Sequence, residues 1–321
     1  MRNVKFWHLL AVSILLASIG NCSIRKLAIG QMTDMIKDGR VAFESETDMY
    51  LAESALASNL KLLEAVQKSD PENEELNMFL AEGYNSYTLA FVEDRFEELQ
   101  YEDSETAEMH RQRAIRLYLR ARSYAALVLA EKLEADPLTI SEADFKQKLQ
   151  KIEKEDVGTL FWFALSWGAS VNLRRDDMEA LSELGKVEMA MQRVKELDPD
   201  YFFGGVHLFE GVYYGARSPM MGGDHSRSKL AFLQAAKSSG DKLLMVPVMH
   251  ATTLCLQTQD RACFSAKLNE VLARDAAAIP EVALANTLAQ KKAKRWLAKI
   301  DDLFLPEESS IEPEGENGDS Q

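Results

Sequence analysis

The sequence predicts an all-α protein built as an irregular array of helix pairs. From residue 32 to residue 304, nearly every segment places apolar residues at helical spacing. No run of alternating apolar and polar residues is long enough to form a sheet. Proline is scarce, with 8 among 321 residues, and most prolines stand at the ends of periodic segments or in the C-terminal tail. We therefore expect residues 22–305 to form one helical domain.

The first helix with a clear apolar stripe ends at a proline. Leu56, Leu60 and Leu63 share one of its faces, and Asp70-Pro71 ends it, because proline cannot continue a helix. The further segments with helical periodicity are residues 76–91, 105–134, 160–173, 178–197, 201–215, 226–239, 243–256, 262–273 and about 281–304. We expect Asp176-Asp177 to begin a helix and Asp94, beside Arg95, to lie at a helix end.

The breaks between helices recur with similar chemistry. "LLEAVQKSDPENEEL" and "AMQRVKELDPDYFFG" both place an apolar stripe before Asp-Pro, and "LEADPLTISEADF" is a weaker copy. This resembles the tetratricopeptide pattern, in which a helix pair repeats about every 34 residues. Leu80, Ala81 and Tyr84 fall where that pattern has a large apolar residue, a small one and an aromatic. Because the spacing is irregular, the pattern predicts an irregular tetratricopeptide-like array.

The stretch "RSPMMGGDHS" contains residue types that are also found in catalytic loops. It follows a helical segment, and Pro219 prevents that helix from continuing. Gly222 and Gly223 provide backbone freedom, and Asp224 is placed to cap the next helix. Since no strand precedes it, a phosphate-binding turn is disfavoured. We interpret it as a connection between two helices.

The N-terminus has the three-part layout of a secretory signal. Arg2 and Lys5 precede an uncharged run at residues 6–19, and a small-residue stretch then ends in Cys22. "LASIGNC" resembles the lipobox of bacterial lipoproteins, although Asn21 stands where a small residue is usual. We predict a signal peptide at residues 1–21 and lipidation of Cys22, with a plain secreted protein or an uncleaved anchor as alternatives. The acidic residues 306–321 should be a disordered tail.

Charge and cysteine content narrow the classes of partner. The formal net charge is -14, and the basic residues are interspersed with acids, so nucleic-acid binding is not expected.

In an exported protein, Cys255 and Cys263 could be bridged. On one continuous helix they would be about 12 Å apart, too far for a bond. Across a helical hairpin they could meet, and two separate buried thiols are the alternative.

One helix is unusually aromatic and is a candidate wall for a ligand cavity. Trp162 and Trp167 lie in a segment that is apolar on nearly every side, with Asn172 near its end. Core packing is the default interpretation. The alternative is that the segment lines a cavity for an apolar ligand with one polar end. Further candidates for the same wall are Tyr84, Tyr87, Tyr213 and Tyr214.

The sequence contains little that indicates catalysis or metal binding. His207 and Glu210 share a helix face and could form one edge of a metal site, but no second ligand pair accompanies them. A polar core or cavity pair is the better interpretation. Adjacent carboxylates are common in so acidic a chain and do not by themselves define a hydrolase. We predict no catalytic residues, no cofactor and no metal.

Three motifs resemble those of the T-component lipoproteins of TRAP transporters. They are the helix end at residues 91–94, the W-G-x-x-x-N helix at residues 167–172 and the P-x-x-G-G-D connection at residues 219–224. The resemblance covers roughly residues 25–304. It implies an all-helical, lipid-anchored periplasmic protein with tetratricopeptide-like repeats and a central cavity or pore. It also implies association with a TRAP substrate-binding protein for small organic molecules, and assembly as a homotrimer by analogy.

The function that follows is that of a non-enzymatic accessory protein of transport. We expect it to lie on the periplasmic side of a bacterial membrane, preferably the outer one, held there by the lipid on Cys22. There it would dock the substrate-binding protein and bind or transfer a small, apolar organic acid, on the concave surface that stacked helix pairs create. The alternatives are a cell-envelope hydrolase built on a helical toroid and a scaffold in envelope assembly.

Overall fold

The computed structural model describes residues 26–304, and within them every regular element is a helix. This confirms the all-α prediction. The tetratricopeptide-like arrangement and the central cavity stay predictions. The predicted signal peptide, Cys22 and the predicted disordered tail at residues 306–321 lie outside the described residues.

The helices follow one another with short connections. In order they are α1 (26–38), α2 (Arg40–Glu44), α3 (Met49–Gln67), α4 (Glu74–Tyr87), α5 (Asp94–Leu99), α6 (Ser104–Leu133), α7 (Glu142–Lys148), α8 (Val157–Asn172), α9 (Met178–Ser182), α10 (Leu184–Leu197), α11 (Tyr201–Gly215), α12 (His225–Ser239), α13 (Met245–His250), α14 (Arg261–Leu272), α15 (Ala283–Ala298) and α16 (Ile300–Leu303). None of these helices combines the length and apolarity needed to cross a membrane.

The structure subdivides several segments that periodicity predicted as single helices. Residues 178–197 form α9 and α10, and residues 281–304 form α15 and α16. Two π-helical turns, Thr88–Glu93 after α4 and Ala251–Cys255 after α13, continue the helical path with wider hydrogen-bonded rings. Apolar spacing does not distinguish a π turn from an α turn, since one extra residue shifts the pattern only slightly.

The aromatic helix α8 lies at the centre of the largest apolar core. Leu160, Phe161 and Phe163 are at most 1% exposed, and the helix packs against α6, α10 and α4. A second core lies between α3, α4 and α6, and a third between α13, α14 and α15. The apolar surface of α8 on every side explains its central place, because a helix with no polar face is stable only when surrounded.

The last long helix packs against the first part of the chain. Helix α15 contacts α2 and α3, and its Lys291 and Arg295 pair with Asp94 at 2.6 and 2.8 Å. Asp94 is the first residue of α5, but this boundary is only a change from π to α hydrogen bonding, so the expectation of a helix that ends near Asp94 is wrong. Asp94 follows directly on the first π turn inside a continuous helical path and is only 2% exposed. Its negative charge is therefore satisfied by residues about 200 positions away.

Candidate functional site

A groove among the described residues 26–304 lies between α12 and α14, and it is larger than a second groove beside α10 and α11. Its floor is α13 with the π turn that follows, and its volume is about 690 Å³. The floor is mainly apolar, with Phe232, Val246 and Leu254 among its residues, and Lys229 and Lys267 stand at its sides. An apolar cleft of several hundred Å³ with a few charged groups is a common form of small-molecule site.

The charges around the larger groove leave a cation without an internal partner. Lys267 pairs with Glu270 at 3.0 Å, whereas Lys229 has no acidic group within 4.0 Å among residues 26–304. The His250 ring stacks on Phe232 with centroids 4.7 Å apart. Burial, together with the ammonium groups of Lys267 and Lys229, lowers the pKa of His250 to about 4. His250 is therefore neutral near pH 7, and the positive charge of the groove is on Lys229, Lys267 and Arg274.

Cys255 and Cys263 meet on the wall of the larger groove. The π turn ends at Cys255, the chain reverses, and Cys263 lies in the first turn of α14. The two residues are disulfide-bonded in the structure, with their Cα atoms 5.7 Å apart. This is the hairpin arrangement that the sequence left open. Ligand atoms of His250 and both cysteines lie within 4.8 Å of one another, a cluster that sequence analysis missed because His250 precedes the hairpin.

The smaller groove, of about 320 Å³, lies beside α10 and α11 and is lined by Tyr213 and Tyr214. Both phenol groups donate to the Glu188 carboxylate, at 3.1 and 2.8 Å. The guanidinium groups of Arg217 and Arg227 lie 3.8 Å from the ring centroids of Tyr213 and Tyr214 respectively. Each tyrosine is thus held between a carboxylate at its hydroxyl group and a cation over its ring.

The predicted connection between helices positions these two arginines. Gly222 has a φ of 81°, and a Cβ on Gly223 would come within 1.9 Å of the Arg217 carbonyl oxygen. Asp224 is the N-cap of α12, where its carboxylate accepts the Arg227 N–H at 2.9 Å. The loop, which also contains Pro219, therefore connects α11 to α12 and brings Arg227 next to Tyr214. Sequence analysis missed the role of the arginines because contacts across a loop leave no periodic pattern.

The other cavity candidates lie apart from both grooves. Trp162 and Trp167 are 2% and 3% exposed inside the core around α8. Asn172 is the last residue of the same helix. Tyr84 and Tyr87 are buried on α4, and their hydroxyl groups accept hydrogen bonds from two arginines of α6. Of the predicted set, the structure brings only Tyr213 and Tyr214 together on a groove.

The start of α11 has an unusual backbone that sequence analysis also missed. Phe202, Phe203 and Gly204 have φ values of 47°, 57° and 72°, in the left-handed region that non-glycine residues rarely adopt. The Phe202 ring lies 4.7 Å from that of Trp162. A Cβ on Gly204 would come within 2.4 Å of the Ser238 Cβ, so the turn also allows α11 to approach α12 closely.

His207 and Glu210 form a polar network with a lysine. The His207 Nδ1 lies 3.7 Å from a Glu210 carboxylate oxygen, and Lys195 donates to both oxygens of that carboxylate at 2.9 and 2.7 Å. The lysine supplies the positive charge that a metal would otherwise bring. This arrangement agrees with a polar pair.

Comparison with known proteins identifies the family. The family model described as "TRAP transporter T-component" matches residues 45–304, most of the chain. The chain belongs to the TRAP transporter T-component family. It is also similar to an uncharacterized protein of Treponema pallidum (strain Nichols), with 26% identity over 303 residues that cover 88% of this chain and 93% of the relative.

The family match includes both grooves of this T component and the aromatic helix α8. Membership associates the protein with TRAP transport systems and hence with the cell envelope. The family is a transport component and is not a known enzyme family.

Proposed function

We propose that this T component is held on the periplasmic face of the outer membrane by a lipid on Cys22 and docks the substrate-binding protein of a TRAP transporter. The observation that carries the proposal is the family match over residues 45–304. The signal-like N-terminus and the lipobox-like "LASIGNC" support the location. Two acyl chains on Cys22 would give stable attachment, since one chain binds a membrane only marginally.

We further propose that a small organic acid with an apolar body binds in the larger groove. Phe232, Val246 and Leu254 would contact the apolar body, and the unpaired Lys229 would attract the carboxylate. The smaller groove is the second candidate, because Tyr213 and Tyr214 line it. In that groove both tyrosine hydroxyl groups already donate to Glu188, whereas Lys229 of the larger groove has no acidic partner within 4.0 Å among residues 26–304, which is why we prefer the larger one.

The docking proposal is tested by recovery of the partner from the native cell. The tagged chain is crosslinked in intact cells, purified with detergent and analysed by mass spectrometry. Size-exclusion chromatography of the same sample tests the proposed homotrimer. We expect the TRAP substrate-binding protein to be enriched over an unrelated tagged lipoprotein. Equal recovery with both baits would contradict docking. Release of fragments from peptidoglycan by the purified protein would instead favour the hydrolase alternative.

The ligand proposal is tested with medium-chain carboxylic acids by isothermal titration calorimetry. We expect Lys229→Glu to weaken binding roughly tenfold, because it reverses the charge at the groove. Tyr214→Phe in the smaller groove serves as the matched variant and should bind as the wild type does. Weaker binding by Tyr214→Phe, with unchanged binding by Lys229→Glu, would place the ligand in the smaller groove. If the acids bound in neither groove, the ligand proposal would be refuted.

A further inference from the structure

We propose that His250, Cys255 and Cys263 form a site for a thiophilic cation such as Zn²⁺ when the Cys255–Cys263 bond is reduced. The three ligand atoms lie within 4.8 Å of one another on the wall of the larger groove. Two thiolates and an imidazole are a common set of protein ligands for Zn²⁺. The proposal does not depend on docking or on the organic-acid ligand.

The distances require little rearrangement. With Zn–S near 2.3 Å and Zn–N near 2.0 Å, tetrahedral geometry separates ligand atoms by about 3.5–3.8 Å. The nitrogen is already within about an ångström of that separation from the sulfurs. Cleavage of the disulfide lets the two sulfurs move apart to the same distance by side-chain rotation, with the Cα atoms starting 5.7 Å apart.

The π turn aligns two of the three ligands. His250 and Cys255 are five residues apart, and in an α-helix such a pair points about 140° apart around the axis. The turn Ala251–Cys255 has the i→i+5 hydrogen-bond pattern, which brings residues five apart onto one side. Turns of this kind are frequent at functional sites. The wider turn thus gives a structural reason for the juxtaposition of His250 with Cys255.

The remaining contacts hold the ligands in place without using their ligand atoms. The His250 ring is fixed by its parallel stack on Phe232, with an angle of 4° between the planes. Cys263 is fixed through its backbone N–H, which donates to the N-cap Asp260 at 2.8 Å. His250 and Cys263 are half-buried and border the groove, so a fourth coordination position is open to water.

The redox dependence follows from atom balance and charge. A dithiol reductant transfers two electrons and two protons to the disulfide, giving two thiols and an oxidised, cyclic disulfide of the reductant. Zn²⁺ then replaces the two thiol protons, and the neutral imidazole donates its lone pair. In the bridged form the two sulfurs carry no thiolate charge, and Lys229 beside the groove has no acidic partner within 4.0 Å among residues 26–304, so a cation should not bind.

The test uses the purified full-length chain reduced with a phosphine and then freed of reductant without oxygen. Co²⁺ serves as the spectroscopic probe, and Zn²⁺ affinity is measured by competition with a chromophoric chelator. We expect one equivalent of Co²⁺ to bind the reduced protein and to give a sulfur-to-cobalt charge-transfer band. The disulfide form should lack this band. Mass analysis without reductant, before and after reduction, verifies the two redox states.

Matched variants separate this site from adventitious binding. His250→Phe keeps the stack on Phe232 but removes the nitrogen, so we expect affinity to fall roughly tenfold or more. His225→Ala changes another histidine of the same groove and should bind as the wild type does. The proposal would be overturned if His250→Phe bound the metal as tightly as the wild type, or if both variants lost the same affinity. It would also be overturned if the disulfide form bound the metal as well as the reduced form does, or if reduction abolished the helical circular dichroism.

Discussion

Glu93 is a carboxyl group whose surroundings disfavour its charge. Burial, the largest cause, and the nearby Glu97 together raise the pKa of Glu93 to about 7 against the opposing effect of Lys292. The Tyr118 hydroxyl group donates to the same carboxylate. Since the unfolded value is near 4.5, the protonated side chain contributes stability that is full below about pH 4.5 and is lost as the pH rises through about 7.

The variant Glu93→Gln should remove this pH dependence. At pH 8 we expect it to be more stable than the wild type by up to about 3 kcal/mol, because the amide carries no charge and can still accept from Tyr118. At pH 4 the difference should vanish. Thermal melts between pH 4 and pH 8 measure it, with the exposed Glu131→Gln as control. If the difference in stability between Glu93→Gln and the wild type were the same at pH 4 and at pH 8, the raised pKa of Glu93 would be contradicted.

The two tryptophans of α8 should differ in their contribution to stability. The Trp167 N–H donates to Glu183, and the Arg122 guanidinium lies 5.0 Å from its ring centroid, whereas Trp162 has mainly apolar neighbours. Trp167→Phe should cost about 2 kcal/mol because it removes the hydrogen bond to Glu183, which then keeps only its longer ion pairs with Arg174 and Arg122, at 3.5 and 3.8 Å. Trp162→Phe should cost about 1 kcal/mol as an imperfect core substitution.

Urea denaturation measures both changes, and calorimetry with the ligand tests the cavity interpretation. Since both indoles are buried in the core, we expect ligand affinity to remain unchanged. A changed affinity in either variant, with the fold retained, would instead support a ligand cavity at α8.

At the scale of elements, the contact between α5 and α15 depends on Asp94. Burial alone would raise the pKa of Asp94, but Lys292, Arg295 and Lys291 together hold it below its usual value. Asp94→Asn removes the buried carboxylate that all three cations share, although Glu97 still pairs with Lys292 at 2.7 Å and with Arg295 at 2.6 Å. We expect a loss of about 3–5 kcal/mol and faster hydrogen exchange in α15.

The control for this contact is an exposed ion pair near the same end of the chain. Asp301 lies 2.5 Å from Arg261 and is 85% exposed. Asp301→Asn should therefore cost less than about 1 kcal/mol. Equal losses in the two variants would show that burial does not set the strength of the α5–α15 contact.

The close approach of α11 to α12 depends on Gly204. Gly204→Ala introduces both a left-handed alanine and a Cβ within 2.4 Å of Ser238, so we expect a loss of about 3 kcal/mol. Gly222→Ala has similar backbone strain, with a φ of 81°, but its nearest neighbour would be an arginine side-chain end at 3.8 Å. It should lose only about 1–2 kcal/mol. Melting temperatures compare the two, and similar losses would refute a packing role for Gly204.

At the scale of the whole molecule, membrane attachment should depend on Cys22. Cells labelled with a radioactive fatty acid should incorporate label into the wild type and into Cys263→Ser, but not into Cys22→Ser. The lipobox-like stretch makes the thiol of Cys22 the proposed acylation site, whereas Cys263 lies in α14. Label retained in Cys22→Ser would refute lipidation at that residue.

Much of the fold follows from local features that the sequence displays. Helical periodicity predicts an all-α chain, and Asp177 and Asp224 cap helices at the predicted positions because a cap is a contact within three residues. The grooves were less predictable. Tyr213 and Tyr214 were among the candidates, but Glu188, Arg227 and Lys229 were not, because they lie on other helices.

By itself, the sequence determined the helical class, the centrality of α8 and the family, since periodicity, uninterrupted apolarity and spaced motifs are all local patterns. Only the tertiary structure decided which distant groups meet. It placed Asp94 against α15, and it brought His250 to Cys255 through a π turn that apolar spacing does not reveal. The physical reason is that a buried charge or a ligand cluster is stabilised by whatever lies beside it in space, and sequence separation places no limit on that partner.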